Sequence, residues 1–249
     1  MVNRKYNSLA IRECSNVALH LYRYFDGRPN EDVGSHSRPW HELALALNAK
    51  LQAPHIVGLH REMQARQKNV LESLGESFSV IDESHTTQWR LAIGLSYGRL
   101  WDIGFQLHPL TGLPYIPASS FKGALCHCAL EEDKEEKAAR EIIFGATDKE
   151  GAATFFDVFA EPKPGLFAED IINQHNQKYY STAAEPPADD TDPNPVKFLT
   201  ISPRTTFHFT AVLPKEHDAE GQLLRKWFKT CVTEYGFGAK TRKGYGLFQ

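Results

Sequence analysis

The sequence predicts an α+β chain, with a helical extension over residues 1–85 and a ferredoxin-like core over residues 86–249, on three observations. Apolar residues recur at helical spacing through the first third of the chain. The period drops to two near residue 89. Elements then follow in the order strand, helix, strands, helix, strand, the order of a split βαβ unit. A long irregular insertion at about 160–195 interrupts the second half.

In the extension, Leu9, Val17, Leu21 and Tyr24 mark one helix, ended by Asp26-Gly27-Arg28-Pro29-Asn30. The polar run Ser35-His36-Ser37-Arg38-Pro39-Trp40 leads into a short helix through Leu43 and Leu47, and Ile56, Leu59, Met63, Arg66 and Val70 mark a longer one. Trp89, Leu91, Ile93, Leu95 and Tyr97 then alternate with Arg90, Ala92, Gly94 and Ser96, which predicts a strand with one apolar face. After a turn-rich loop at 108–114 comes Ile116-Pro117-Ala118-Ser119-Ser120-Phe121-Lys122-Gly123-Ala124-Leu125, where either serine can cap a helix running to about Leu130. Strands are predicted at 153–159, 196–201 and 205–213, the last with Phe207, Phe209, Ala211 and Leu213 on one face. An amphipathic helix at 219–235 turns Leu223, Leu224, Trp227, Phe228 and Cys231 inward, and a short strand at 245–248 closes the chain.

At 249 residues and 41% hydrophobic content the chain can bury a sizeable core. Its net charge of -3 excludes coating nucleic acid by bulk charge, so any polyanion contact needs a local patch. Residues 222–249 supply one, with Arg225, Lys226, Lys229, Lys240, Arg242 and Lys243 against Glu234 alone. The balancing acid lies at 131–136 and 189–192.

The four cysteines, Cys14, Cys126, Cys128 and Cys231, have neither disulfide nor zinc spacing, which fits a reducing cytoplasm. Cys126-His127-Cys128 cannot share one ion from a helix, because residues two apart project to nearly opposite sides; both thiols read as small buried hydrophobes. The acidic run from Glu131 to Glu136 reads as a solvated face, so no metal is expected. Neither a signal-like start nor an apolar run of membrane-spanning length is present, and the expectation is a cytoplasmic protein without a membrane partner.

Two segments carry anion-binding chemistry. In residues 235–248, Gly236, Gly238, Gly244 and Gly246 lie among Lys240, Thr241, Arg242 and Lys243, between Tyr235 and Tyr245. Glycines permit positive φ and close approach of phosphate to backbone N–H groups, while the cations supply charge at the same place. The spacing matches neither the dinucleotide fingerprint nor the Walker loop, so no nucleotide cofactor is expected. The second segment is the helix start Ser119, Ser120, Lys122 and Gly123, where free N–H groups and a lysine meet.

Together with Ile143-Phe144-Gly145, these two segments resemble the RAMP proteins of CRISPR systems. Asp170-Ile171-Ile172-Asn173-Gln174-His175, Lys178-Tyr179-Tyr180 and Asp192-Pro193-Asn194-Pro195-Val196-Lys197-Phe198-Leu199 resemble the insertion of the sixth-subunit family of type III-B (Cmr) effector complexes. In that family Asn-Pro-His is more usual than the Asn173-Gln174-His175 found here. The resemblance implies a non-catalytic, RNA-binding subunit with a RAMP core, holding the 3′ part of a guide RNA and capping the backbone filament in prokaryotic antiviral defence. Its partners would be guide RNA, target RNA and the other backbone and small subunits.

On that reading Ser119, Ser120, Lys122 and Gly123, with Gly236, Gly238, Lys240, Thr241, Arg242, Lys243 and Gly244, hold guide phosphates. Arg38 joins them, and the insertion acts as a thumb, with His175, Lys178 and Tyr179 as RNA contacts and Phe167, Tyr179 and Tyr180 in wedge or packing roles. The superfamily also includes metal-independent guide-processing endoribonucleases. The enzyme-like set here is His36 and His41 near Arg38 and Asp32, and surface histidines in a polar loop are the favoured reading of it. Asp26 lacks the loop context of a target-cleaving aspartate, and His108 and His208 read as readily as structural or exposed groups as RNA contacts.

Overall fold

The computed structural model describes residues 15–19, 21–22, 40–96, 104–129, 136–174 and 194–249. After a helical turn at Val17–Leu19 the helices are α1 (Trp40–Leu51), α2 (Pro54–Leu74), α3 (Ala118–Cys128), α4 (Glu136–Phe144) and α5 (Asp218–Thr230). The strands are β1 (Phe78–Thr86), β2 (Tyr115–Ile116), β3 (Gly145–Ala146), β4 (Lys149–Glu150), β5 (Thr154–Phe155), β6 (Val158–Phe159), β7 (Phe167–Gln174), β8 (Asn194–Ile201) and β9 (Thr206–Pro214). The architecture is α+β, as expected from the alternating element order.

The central sheet has the order β1-β9-β5, all antiparallel. Strand β9 forms because its apolar residues alternate, and Phe207, Phe209, Ala211 and Leu213 are all buried on one face. Helices α3 and α5 cover that face. Phe121 of α3 and Phe228 of α5 stand 5.3 and 5.4 Å from the Phe209 ring. In α5 the inward stripe is Gly221, Leu224, Trp227 and Phe228, and the helix carries Asp218 and Glu220 in its first turn and Lys229 in its last, matching its dipole. Ser79 donates to Asp218 Oδ1 at 2.9 Å, tying the start of α5 to the start of β1.

The other face of β9 is polar, and α2 lies across it. Gln67 donates to Thr210 Oγ1 at 2.5 Å, and Thr210 donates in turn to Asp82 at 2.8 Å. His208 sits 2.7 Å from both Ser84 Oγ and Glu161 Oε1. The stripe of α2 that turns toward the sheet includes Ile56, His60 and Gln67. This rotates the expected stripe: Arg66 is exposed and Val70 is 45% exposed. A polar sheet face selects polar helix residues, which an apolar-period search does not weigh.

Four further expectations are corrected. Residues 78–86, within the stretch expected to be helical to residue 85, form β1, which pairs with β9 from Phe78↔Pro214 to Thr86↔Thr206. Adjacent Val80 and Ile81 blur its period, and the ladder supplies what the local pattern lacks. Residues 89–96 are not a strand. Leu91, Ala92 and Ile93 are buried consecutively while Trp89 is 52% exposed, and isolated bridges, Leu91↔Ile201 and Ala92↔Ala239, with scattered single backbone bonds take the place of a ladder. The predicted strand at 245–248 is likewise a single bridge, Thr87↔Phe248. The base of the insertion is regular: β7 and β8 form one antiparallel ladder from Phe167↔Ile201 to Gln174↔Asn194.

Helix α1 buries Trp40, Leu43, Ala44, Leu47 and Leu51, and its Asn48 side chain pairs with both backbone groups of Phe167, donating at 2.9 Å and accepting at 2.8 Å. Tyr22 accepts from Leu107 N–H at 2.9 Å and donates to Phe105 O. The N-terminal residues Val17 and Leu21 thus belong to the same apolar cluster as Phe209 and Phe248. Cys128 and Cys231 are buried together, and their mutual hydrogen bond, then burial, raises the Cys231 pKa; Cys126 is only half-buried, beside Arg140.

His60 is buried against His208 with no hydrogen-bond partner for Nε2, and burial followed by the His208 charge lowers its pKa, Glu161 opposing. Its folded pKa lies below the ordinary 6.5, so the stability it confers is present above that value and is lost as pH falls through the folded pKa. Protection factors of the α2 amides, which allow for the slower intrinsic exchange in acid, are expected to fall as pH drops below 6.5 in the wild type and not in His60→Leu. Equal protection factors above and below that pH would remove His60 from the docking of α2.

Candidate nucleic-acid interface

After α5 the chain makes a π-helical turn, Cys231–Tyr235, and then folds back along residues 90–93. Ala239 N–H donates to Ala92 O at 2.7 Å, Gly246 N–H to Arg90 O at 2.9 Å and Phe237 N–H to Gly246 O at 2.9 Å. Phe237 and Phe248 anchor the two ends, 5.0 and 5.3 Å from the Phe209 ring. Between the anchors, Lys240 and Gly244 are both left-handed and bracket a single 3-10 turn, Thr241–Lys243. Lys240, Arg242 and Lys243 are all exposed on this hydrogen-bonded turn.

The glycines of the loop serve its own packing. A Cβ on Gly246, at φ +70°, would lie 1.9 Å from Phe237 O, and one on Gly238, at φ +91°, would lie 2.5 Å from Ala92 O. Those positions are glycine because two backbones cross there. Gly244 alone of the four loop glycines has open space around it.

Helix α3 does not start on a serine cap. Pro117 is the N-cap residue, and Asp157 Oδ1 accepts the Ala118 N–H at 2.7 Å, so a carboxylate already satisfies the first amide of the helix. Ser119 and Ser120 therefore sit within the first turn, both exposed. The stripe Pro117, Ser120, Ala124 and His127 forms one wall of a cleft of about 920 Å³, and Tyr235, Gly236, Gly238, Thr241 and Arg242 form the facing wall. Ile93, Gly94, Leu95, Ser96, Gln106, Ile116, Glu234 and Ala239 complete the lining.

Of the residues expected to bind RNA, the cleft brings together Ser120, Gly236, Gly238, Thr241 and Arg242. Ser119, Lys122, Gly123, Lys240, Lys243 and Gly244 do not line it; Lys122 is half-buried on another side of α3. Arg38, His175, Lys178, Tyr179 and Tyr180, with Asp26, Asp32 and His36, lie outside the described residues. Phe167 is buried, 5.5 Å from Phe105, and takes the packing role of the two open to it. His127, Glu234, Gln106 and the 93–96 segment also line the cleft without a binding motif of their own in the sequence; the 3/4 spacing of Ser120, Ala124 and His127 is the one sequence signal that joins any of them to the site. Among the described residues no group of three or more His, Cys, Asp or Glu converges, and no helix is long and apolar enough to cross a membrane.

Residues 101–249, which carry both walls of this cleft, match the RAMP superfamily model. The chain belongs to the RAMP superfamily. Its relatives include CRISPR system CMR subunit Cmr6 of Saccharolobus solfataricus, 34% identical over 186 residues, which cover 73% of this chain and 61% of the relative. The chain thus spans about three-fifths of that relative's length. CRISPR system Cmr subunit Cmr6 of Pyrococcus furiosus is 27% identical over 272 aligned residues, covering 82% of this chain and 77% of the relative. In three dimensions the chain is similar to a chain of the type III-B Cmr-β complex bound to cognate target RNA, solved by cryo-EM. That match has a TM-score of 0.67 and 29% identity, over 84% of this chain and 70% of the other. The sixth-subunit resemblance carried by the motifs is the one these relatives bear in their names.

In this RAMP protein the loop is joined to the insertion hairpin through one partly buried network. Tyr245 donates to Asp170 Oδ2 at 2.8 Å, and Arg90 Nε faces the same oxygen at 3.4 Å, an ion-pair distance without hydrogen-bond alignment. Arg90 Nη1 donates to Glu169 O at 2.6 Å. Burial first, then the hydrogen bond to Asp170, pushes the Tyr245 pKa up to about 12.

Gly246→Ala is expected to lower the stability of the fold by about 2 kcal/mol or more, because positive φ and a backbone collision act together, while Gly244→Ala costs about 1 kcal/mol; thermal melts compare the two. Tyr245→Phe is expected to cost about 1–2 kcal/mol by chemical denaturation. Since the folded pKa of Tyr245 is raised from 10.0 to about 12, its contribution is present below pH 10 and lost as pH rises through 12. The alkaline fall in stability is therefore shallower in Tyr245→Phe.

Proposed function

We propose that this RAMP protein is a non-catalytic subunit of a type III-B CRISPR effector complex that holds the 3′ part of the guide RNA and caps the backbone filament. On this reading its core is ferredoxin-like, and the insertion that rises from the β7–β8 hairpin is its thumb. Guide RNA, target RNA and the other backbone and small subunits are its partners, in a prokaryotic cytoplasm.

The observation that carries the reading is the loop between Phe237 and Phe248. Three exposed cations, Lys240, Arg242 and Lys243, stand on a turn whose ends are locked into the aromatic core and whose backbone is held by hydrogen bonds from Phe237, Ala239, Lys243, Gly244 and Gly246 N–H. Charge held on a rigid support binds phosphate without a large ordering cost. Because Gly236, Gly238 and Gly246 are used by the loop's own packing, the side-chain cations and the Thr241 hydroxyl are the main groups offered to a phosphate. Holding RNA in this way takes no nucleophile and no general base from the chain.

Lys240→Ala combined with Arg242→Ala is expected to weaken binding of a guide RNA without changing the circular dichroism spectrum. Each lost phosphate contact makes the fall of log affinity with log salt shallower by about 0.7, so the double variant should differ by about 1.4. Unchanged affinity and slope would take the loop out of the interface, and defined cleavage of the guide by the purified wild type in EDTA would overturn the non-catalytic assignment.

A further inference from the structure

The cleft beside the loop is poorly suited to a phosphodiester chain along its length. Arg242 is the one Lys or Arg among the described residues that line it, and Glu234 adds negative charge next to Tyr235. Much of the remaining lining is apolar, including Ile116 and Ala124. Charge in the lining is confined to Arg242 and Glu234, both exposed. Its volume of about 920 Å³ is in the range of sites that enclose small organic molecules, large enough for a nucleoside unit.

Two rings line the cleft. His127 of α3 and Tyr235 meet edge to face at 6.3 Å with an interplanar angle of 85°, so together they make a right-angled corner. A flat heteroaromatic ring placed in such a corner stacks on one face and meets the edge of the other, the geometry aromatic pairs prefer. His127 is exposed and Tyr235 half-buried, and both border the cleft.

We propose that the cleft takes one unstacked nucleobase of a single-stranded RNA in the corner of the His127 and Tyr235 rings, while the adjoining phosphates stay at the rim with Arg242. The proposal rests on the RNA-holding reading given above. Stacking tolerates any base, because every base presents a π-face. The cleft therefore adds grip without imposing a sequence, and it draws one nucleotide out of the stack beside the cationic turn.

The test uses the full chain and a short oligouridylate with one 4-thiouridine placed at successive positions. After irradiation, adducts are expected on the peptides that contain His127 or Tyr235. Binding that remains salt-sensitive while adducts form only on other peptides would overturn the base site and leave the RNA-holding reading standing; absence of salt-sensitive binding would overturn both. As a second arm, Tyr235→Leu is expected to lose about tenfold in affinity for oligouridylate and nothing for an abasic ribose-phosphate chain of the same length, with Tyr235→Phe like the wild type. An equal loss on both chains would mean that Tyr235 shapes the loop and touches no base.

Discussion

The cleft depends on one aromatic junction centred on Phe209. Phe121 from α3, Phe228 from α5, and Phe237 and Phe248 from the two ends of the C-terminal loop all lie within 5.0–5.4 Å of its ring centre. Each such pair contributes about 0.5–1.5 kcal/mol beyond the burial of its surface. One strand residue thereby holds a helix wall and a loop wall in register. A loop tethered at one end only would sample many positions, whereas two phenylalanine anchors on the same ring leave its turn a single path.

That fastening changes what the glycines and cations of the loop are for. Crossing two backbone segments at Gly246 and Phe237 leaves no room for a Cβ, so Gly236, Gly238 and Gly246 belong to the fold and the charges to the surface. Arg90 and Asp170 extend the same rigid body to the insertion hairpin through Tyr245. The hairpin and the loop therefore meet in one partly buried network of three side chains.

The two faces of the central sheet are held by different physics. Phenylalanines bind α3 and α5 to one face, while α2 is held on the other by Gln67, Thr210, Asp82 and the His60–His208–Glu161 group. Apolar burial does not vary with pH, but a contact between histidines and carboxylates does. The same sheet thus carries one permanent cover and one whose strength follows the protonation of His60.

The sequence by itself determined the α+β class, the buried face of β9, the inward stripe of α5 and the clustering of cations near the C-terminus, because each is written in local spacing or composition. It also held, in separated motifs, the resemblance to RAMP proteins. Tertiary structure alone decided the rest. Residues 78–86 became a strand because β9 offered a partner, and 91–93 lost their alternation because the loop and β8 bury them from both sides. Asp157, thirty-nine positions away from Ala118, took the place expected of a capping serine. Tyr235 met His127 across the cleft for the same reason: these contacts join segments distant along the chain, and no local period records which distant residue will arrive.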